Sequence, residues 1–265
     1  MGRDPHEPHR SATPLELLFD LTFVVSFAQA ADAAAHLLAE GHVAAAVFGF
    51  AFTALAICWA WINYSWFASG FDTDDWLFRA MTMVQMVGVI ILALGIQPVF
   101  ESIDRGEPVN NRVLVAGYVV MRVAMVGQWL RVAKQDPAHR QTALIFVTTI
   151  LVAQAGWVLL ASARFEDVFA FVAIAVLLYT LELGGPVLAK HRAGGSLWHP
   201  HHIAERYGLL LIITLGEGLL GTIAAVAALV KTWGGASKRC WLSSPAPERP
   251  SQCGGAISSC LSESS

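Results

Sequence analysis

Charge is what this sequence has least of. Lys, Arg, Asp and Glu make up only 14% of its 265 residues, against roughly 25% in an ordinary soluble domain. A soluble domain of this length could bury a large core, but its surface would still need charge. Sequence patterns that carry catalysis are also missing: there is no GxSxG, Walker loop, dinucleotide fingerprint or HExxH. Four cysteines occur, Cys58, Cys240, Cys253 and Cys260. They form no CxxC, so neither a zinc site nor a disulfide framework is supported. Cys58 lies in an apolar run and reads as packing. The net charge of −3, with no basic patch among aromatics, gives no nucleic-acid partner. No cleavable signal peptide is expected, because the first apolar run is too long for an h-region.

What the chain does have is long apolar runs. Hydrophobic residues reach 55% and the mean hydropathy is +0.55. Runs of about 20 residues match the thickness of a bilayer core. Backbone polar groups find no water in lipid, so such runs cross as helices. A β-barrel would need short alternating segments instead. The expected fold is an all-α polytopic transmembrane helix bundle of about seven spans. They lie near Leu15–Leu37, Val43–Ser69, Arg79–Phe100, Val113–Leu130, Gln141–Ser162, Val168–Leu188 and Ile203–Val230.

Residues 1–14 read as a cytoplasmic segment, 15–230 as the transmembrane domain and 231–265 as a polar tail. That tail holds nine serines and three cysteines. It reads as disordered, with an altered reading frame or truncated gene model as the competing explanation. Lys and Arg set the orientation. With the N-terminus inside, nine of them face inward and Arg105, Arg112 and Arg164 face outward, which favours a cytoplasmic N-terminus. Trp59, Trp61, Trp66, Trp76, Trp129, Trp157 and Trp198 gather near span ends and read as interfacial belts.

Ionisable residues inside the spans carry the functional expectation, because each costs about 2.5–3.5 kcal/mol at a helix centre on insertion scales. Glu16 and Asp20 are four apart and share one face of span one. Glu16 also suits the start of a helix through the macrodipole. Arg122 lies near the middle of span four, with Tyr118 one turn earlier, and needs a buried anion. Glu182 sits beside Gly184, Gly185 and Pro186, which should loosen or end the helix. Arg206 and Glu217 share a face of span seven but are too far apart to pair. Glu217 and Arg122 are therefore expected to be close. Each charge is either functional or glue between helices. His199, His201 and His202 could suit a metal, but HxHH has no matched distant pair. No metal, catalytic residue or cofactor is assigned.

Two segments resemble the bacterial low-temperature-requirement A (LtrA) family: TPLELLFDLTFVVSFAQAA (Thr13–Ala31) and HPHHIAERYGLLLIITLGEGLLGT (His199–Thr222). FDTDDWLFR (Phe71–Arg79) is a weaker third. The motif residues are Glu16, Asp20, Asp72, Arg79, His202, Glu205, Arg206 and Glu217. The resemblance implies a multi-pass protein of the bacterial inner membrane, linked by the family name to growth in the cold, with no settled activity. Family members are usually longer after the ERYG helix, so the chain reads as C-terminally truncated. Span one also faintly resembles span seven, as two parallel repeats would.

The first functional expectation is transport of an ion or small solute through a cavity lined by Asp20, Glu182 and Arg206, with Arg122 and Glu217 deeper. The second is a structural or regulatory membrane protein without transport. The third is an enzyme acting on lipid-linked substrates through His202 and Glu205. The lipid bilayer is the expected partner, and a homo-oligomer stays open.

Overall fold

A computed structural model describes residues 13–163, 165, 167–194, 200–216, 219 and 223. Among them there is no strand. The helices are α1 (Pro14–Ala39), α2 (Val43–Phe71), α3 (Trp76–Leu94), α4 (Ile96–Asp104), α5 (Arg112–Gln135), α6 (Arg140–Ser162) and α7 (Val168–Ala193). A short 3-10 turn, Pro137–His139, precedes α6. Residues 200–216 form α8. Six helical stretches are long and apolar enough to cross a membrane, α3 and α4 counting together as one. Gly218–Ser265 form a separate unit, in which residues 219 and 223 are described and helical.

Most helices run a few residues past the expected apolar limits. The reason is that polar end residues such as Lys134 and Arg192 continue the helical backbone. Start signals are local. Thr13 and Glu16 form a reciprocal capping box, and Pro14 occupies the first helical position. Asp75 and Asp167 cap α3 and α7 by accepting the N–H groups of Phe78 and Phe169.

The third span differs from expectation. It is interrupted at Gly95, where α3 ends and α4 begins. Pro98 has no N–H to give to the Leu94 carbonyl, which favours a break there. Two glycines hold α3 tightly against α5. A Cβ added at Gly117 would lie 2.8 Å from Leu92 Cα, and one at Gly88 would lie 2.8 Å from the Gly117 carbonyl oxygen. Neither backbone can give way, as small residues at membrane helix contacts require. Gly117→Ala is therefore expected to lower stability by about 1–3 kcal/mol through overpacking. Unfolding in detergent would measure it.

The α7 helix corrects a second expectation. It does not end at Gly184–Pro186 but continues to Ala193, with Pro186 inside it. Pro186 still removes the hydrogen bond that would reach the Glu182 carbonyl. A helix surrounded by lipid and neighbouring helices keeps the rest of its ladder rather than expose it.

The outward faces are apolar. Val176 and Leu177 on α7, Leu159 on α6 and Ile90 on α3 are all more than half exposed. Inside, aromatic rings fill the contacts, with Phe19 stacked on Tyr64 and Trp129 stacked on Phe146. Apolar outside and aromatic inside suits a bundle solvated by hydrocarbon.

Candidate functional site

Two clusters of ionisable residues are buried within the helices. The first joins α1 to α8. Glu16 and Asp20, one turn apart on α1, face His202 and Arg206, one turn apart on α8. Asp20 Oδ1 accepts from Arg206 Nη2 at 2.5 Å and from the Trp61 indole N–H at 2.7 Å. His202 Nε2 lies 3.3 Å from Glu16 Oε1. Arg206 Nη1 stands 4.0 Å from Glu16 Oε1, at ion-pair rather than hydrogen-bond distance. The Arg206 guanidinium also lies over the rings of Trp61 and Tyr64, at 5.5 and 5.3 Å. Glu16, Asp20 and Arg206 have no exposed surface. Matching 16 with 202 and 20 with 206 makes the two helix starts parallel and level.

The second cluster joins α5, α6 and α7. Glu182 Oε2 accepts from Arg122 at 2.9 Å and from the Tyr118 hydroxyl at 2.7 Å. Glu182 Oε1 accepts from the Trp157 indole N–H at 2.9 Å. A pocket of only about 10 Å³ lies beside the pair, lined in part by Asn63, Thr149 and Pro186. That is room for roughly one water molecule.

The clusters differ in how completely they are satisfied. Both Glu182 oxygens have partners. Asp20 uses one oxygen twice and leaves Oδ2 with none, while His202 Nδ1 and Arg206 Nε also lack hydrogen-bond partners. A buried polar atom without a partner costs about 1–3 kcal/mol. The first cluster therefore keeps a free carboxylate oxygen that can bind a proton or a small ion, whereas in the second the carboxylate is fully bonded and the unpartnered atom is Arg122 Nε.

The partner of Arg122 is thus Glu182. Glu217, expected close to it, lies outside the described residues, as do His199 and Trp198. Glu205 is exposed while His202 turns to Glu16, so these two do not converge on one pocket. His201 is exposed as well. The belt reading needs correction for three rings. Trp61, Trp129 and Trp157 are buried, and two of them donate to carboxylates. An indole can fill apolar space and still supply one N–H, which suits it to this place. Trp66 and Trp76 are exposed at span ends. The sequence also gave no sign of the buried Gln85–Gln128 bond between α3 and α5 at 2.9 Å.

The loop motif forms a separate polar lock outside the apolar spans. Asp72 is buried and accepts the Asp74 N–H. Arg79 is exposed and pairs with Asp74 at 2.9 Å. Asp75 binds Arg131 through both oxygens. Hydrogen bonding from Arg131 holds the Asp75 carboxyl well below the usual carboxylate range, with the Phe78 N–H helping and burial opposing. The stability this adds is complete above the ordinary carboxylate pKa of about 4 and is lost as pH falls toward the lowered value. Wild type and Asp75→Asn should therefore differ in melting temperature at pH 7 and converge under acid conditions. A difference that holds constant down to pH 3 would contradict this.

Apolar helices on all sides, with paired charges buried between them, define a polytopic helical membrane protein. The family model for the bacterial low temperature requirement A protein (LtrA) matches residues 11–237. The chain belongs to the LtrA family. It is also 25% identical over 220 residues to an uncharacterized protein of Rhizobium meliloti (strain 1021). That match covers 77% of this chain and 49% of the relative, so the chain spans about half of that protein's length. No solved structure matches the chain.

Proposed function

We propose that the protein takes part in moving a small ion, the proton foremost, across the bacterial inner membrane, with its N-terminus in the cytoplasm. The quartet Glu16, Asp20, His202 and Arg206 is the element that takes up the ion. The observation that carries this reading is the incomplete hydrogen bonding of Asp20, His202 and Arg206. Four ionisable groups lie buried in a chain where charge is scarce, and some of their polar atoms have no partner. If the quartet served only to join helices, well-packed apolar residues would do as well or better. Intramembrane groups that titrate and keep free valence are typical of ion pathways.

The test is flux into proteoliposomes under an imposed pH or potassium gradient. Wild-type protein should exceed protein-free liposomes, and neutralising Glu16 and Asp20 together should bring the rate to that baseline. Flux that survives the double neutralisation would reject the reading.

A second reading, a structural or regulatory membrane protein without transport, is favoured by the other cluster. Both Glu182 oxygens are bonded and the space beside the pair holds about one water, as suits a fastening between helices. On that reading no variant changes any flux, because wild type has none.

A further inference from the structure

At the end of α1 opposite the quartet stands a third group of polar side chains that neither reading uses. Glu40 and His42 flank the turn after α1, and Asp104 ends α4. Their ligand atoms lie within 4.8 Å of one another. His42 Nδ1 already touches Asp104 Oδ1 at 2.5 Å. His36, one turn before Glu40, places Nδ1 3.6 Å from Glu40 Oε2. We propose that Glu40, His42 and Asp104 bind a zinc ion, with His36 beside them as a further donor.

The chemistry of the set favours zinc. Imidazole with carboxylates suits zinc, whereas calcium and magnesium prefer oxygen alone. Zinc–ligand distances of about 2.0–2.2 Å put the ligands of a tetrahedron roughly 3.3–3.6 Å apart. Atoms already within 4.8 Å reach that by small side-chain rotations. Zinc would enter between His42 and Asp104 in place of their direct contact.

The backbone holds the donors in place. Gly41 adopts φ +84°, and the N–H groups of Gly41 and His42 return to the carbonyls of Leu38 and Leu37. This is a Schellman closure, and it sets Glu40 and His42 either side of a fixed turn. Gly106, at φ +66°, closes α4 behind Asp104 in the same way, with Glu107 N–H on the Ser102 carbonyl. His42 begins α2 without a side-chain cap bond, so its ring stays free for Asp104. Sequence spacing could not show the set, because Asp104 is far along the chain and α4 is what brings it back.

The experiment is isothermal titration of zinc chloride into the full chain in detergent, after EDTA treatment. His42→Ala and Asp104→Asn should each weaken one site by about tenfold or more, while His191→Ala at the other end of the bundle should not. These side chains are surface groups, so the variants should match wild-type melting in EDTA. Zinc should then raise the melting temperature of wild type and of His191→Ala, but not of His42→Ala. X-ray absorption of the bound zinc should show nitrogen and oxygen neighbours. Unchanged isotherms in both site variants, or a zinc shell of sulfur alone, would overturn the proposal. The former would mean that His42 and Asp104 are only a surface pair, and the latter that the cysteines bind the metal.

Discussion

Replacing Arg122 with alanine is expected to destabilise the folded chain by about 3–5 kcal/mol, because it strands the Glu182 carboxylate inside the bundle. Glu182 is only 7% exposed, so it recovers little water. Its remaining donors, Tyr118 and Trp157, supply hydrogen bonds but no full positive charge. Arg122→Met combined with Glu182→Leu should recover most of the loss, since removing both charges also removes their desolvation penalty. Thermal unfolding in detergent, with folded yield as a second readout, would measure both variants. If Arg122→Ala and the double variant are equally unstable, the cost lies in packing and not in the stranded charge.

The second large effect is expected at Asp20. Asp20→Ala removes the acceptor for both Arg206 and the Trp61 indole. Besides the Trp61 and Tyr64 ring faces, Arg206 would keep only Glu16 as an anion, 4.0 Å away. A loss of about 3–5 kcal/mol is expected for the same reason as at Arg122. Asp20→Asn keeps an oxygen for the indole and for one guanidinium N–H, so it should cost clearly less. Urea or detergent unfolding of the two variants side by side would show the order. Equal losses would mean that the lost carboxylate charge, and not the lost hydrogen bonds, carries the whole cost.

How much of this was legible in the sequence depends on what a pattern can fix. The length and composition of the apolar runs fix helices as the form in which they cross, because lipid admits few other structures. The i,i+4 spacing of Glu16 and Asp20 fixed their common face. The presence of a partner for Arg122 was legible too, because a lone charge at that depth is too costly. Its identity was not. The sequence pointed to Glu217 and not to Glu182, because periodicity does not say how a helix is rotated or which neighbour it meets. The Gly95 break was hidden because the apolar run continues through it. Pro186 misled because its effect on a helix depends on what surrounds the freed carbonyl. Trp61 and Trp157 misled because a ring near a span end can face the interface or turn inward to a carboxylate, and only packing decides.

The most direct measurement compares ion flux and melting temperature for wild type and Asp20→Asn reconstituted in the same lipid. If the quartet takes up the transported ion, flux per folded protein falls by about tenfold or more, beyond what the change in melting accounts for. If wild type shows no flux above empty vesicles, or the variant transports as well as wild type, the quartet is not an ion-binding element and the proposed function fails.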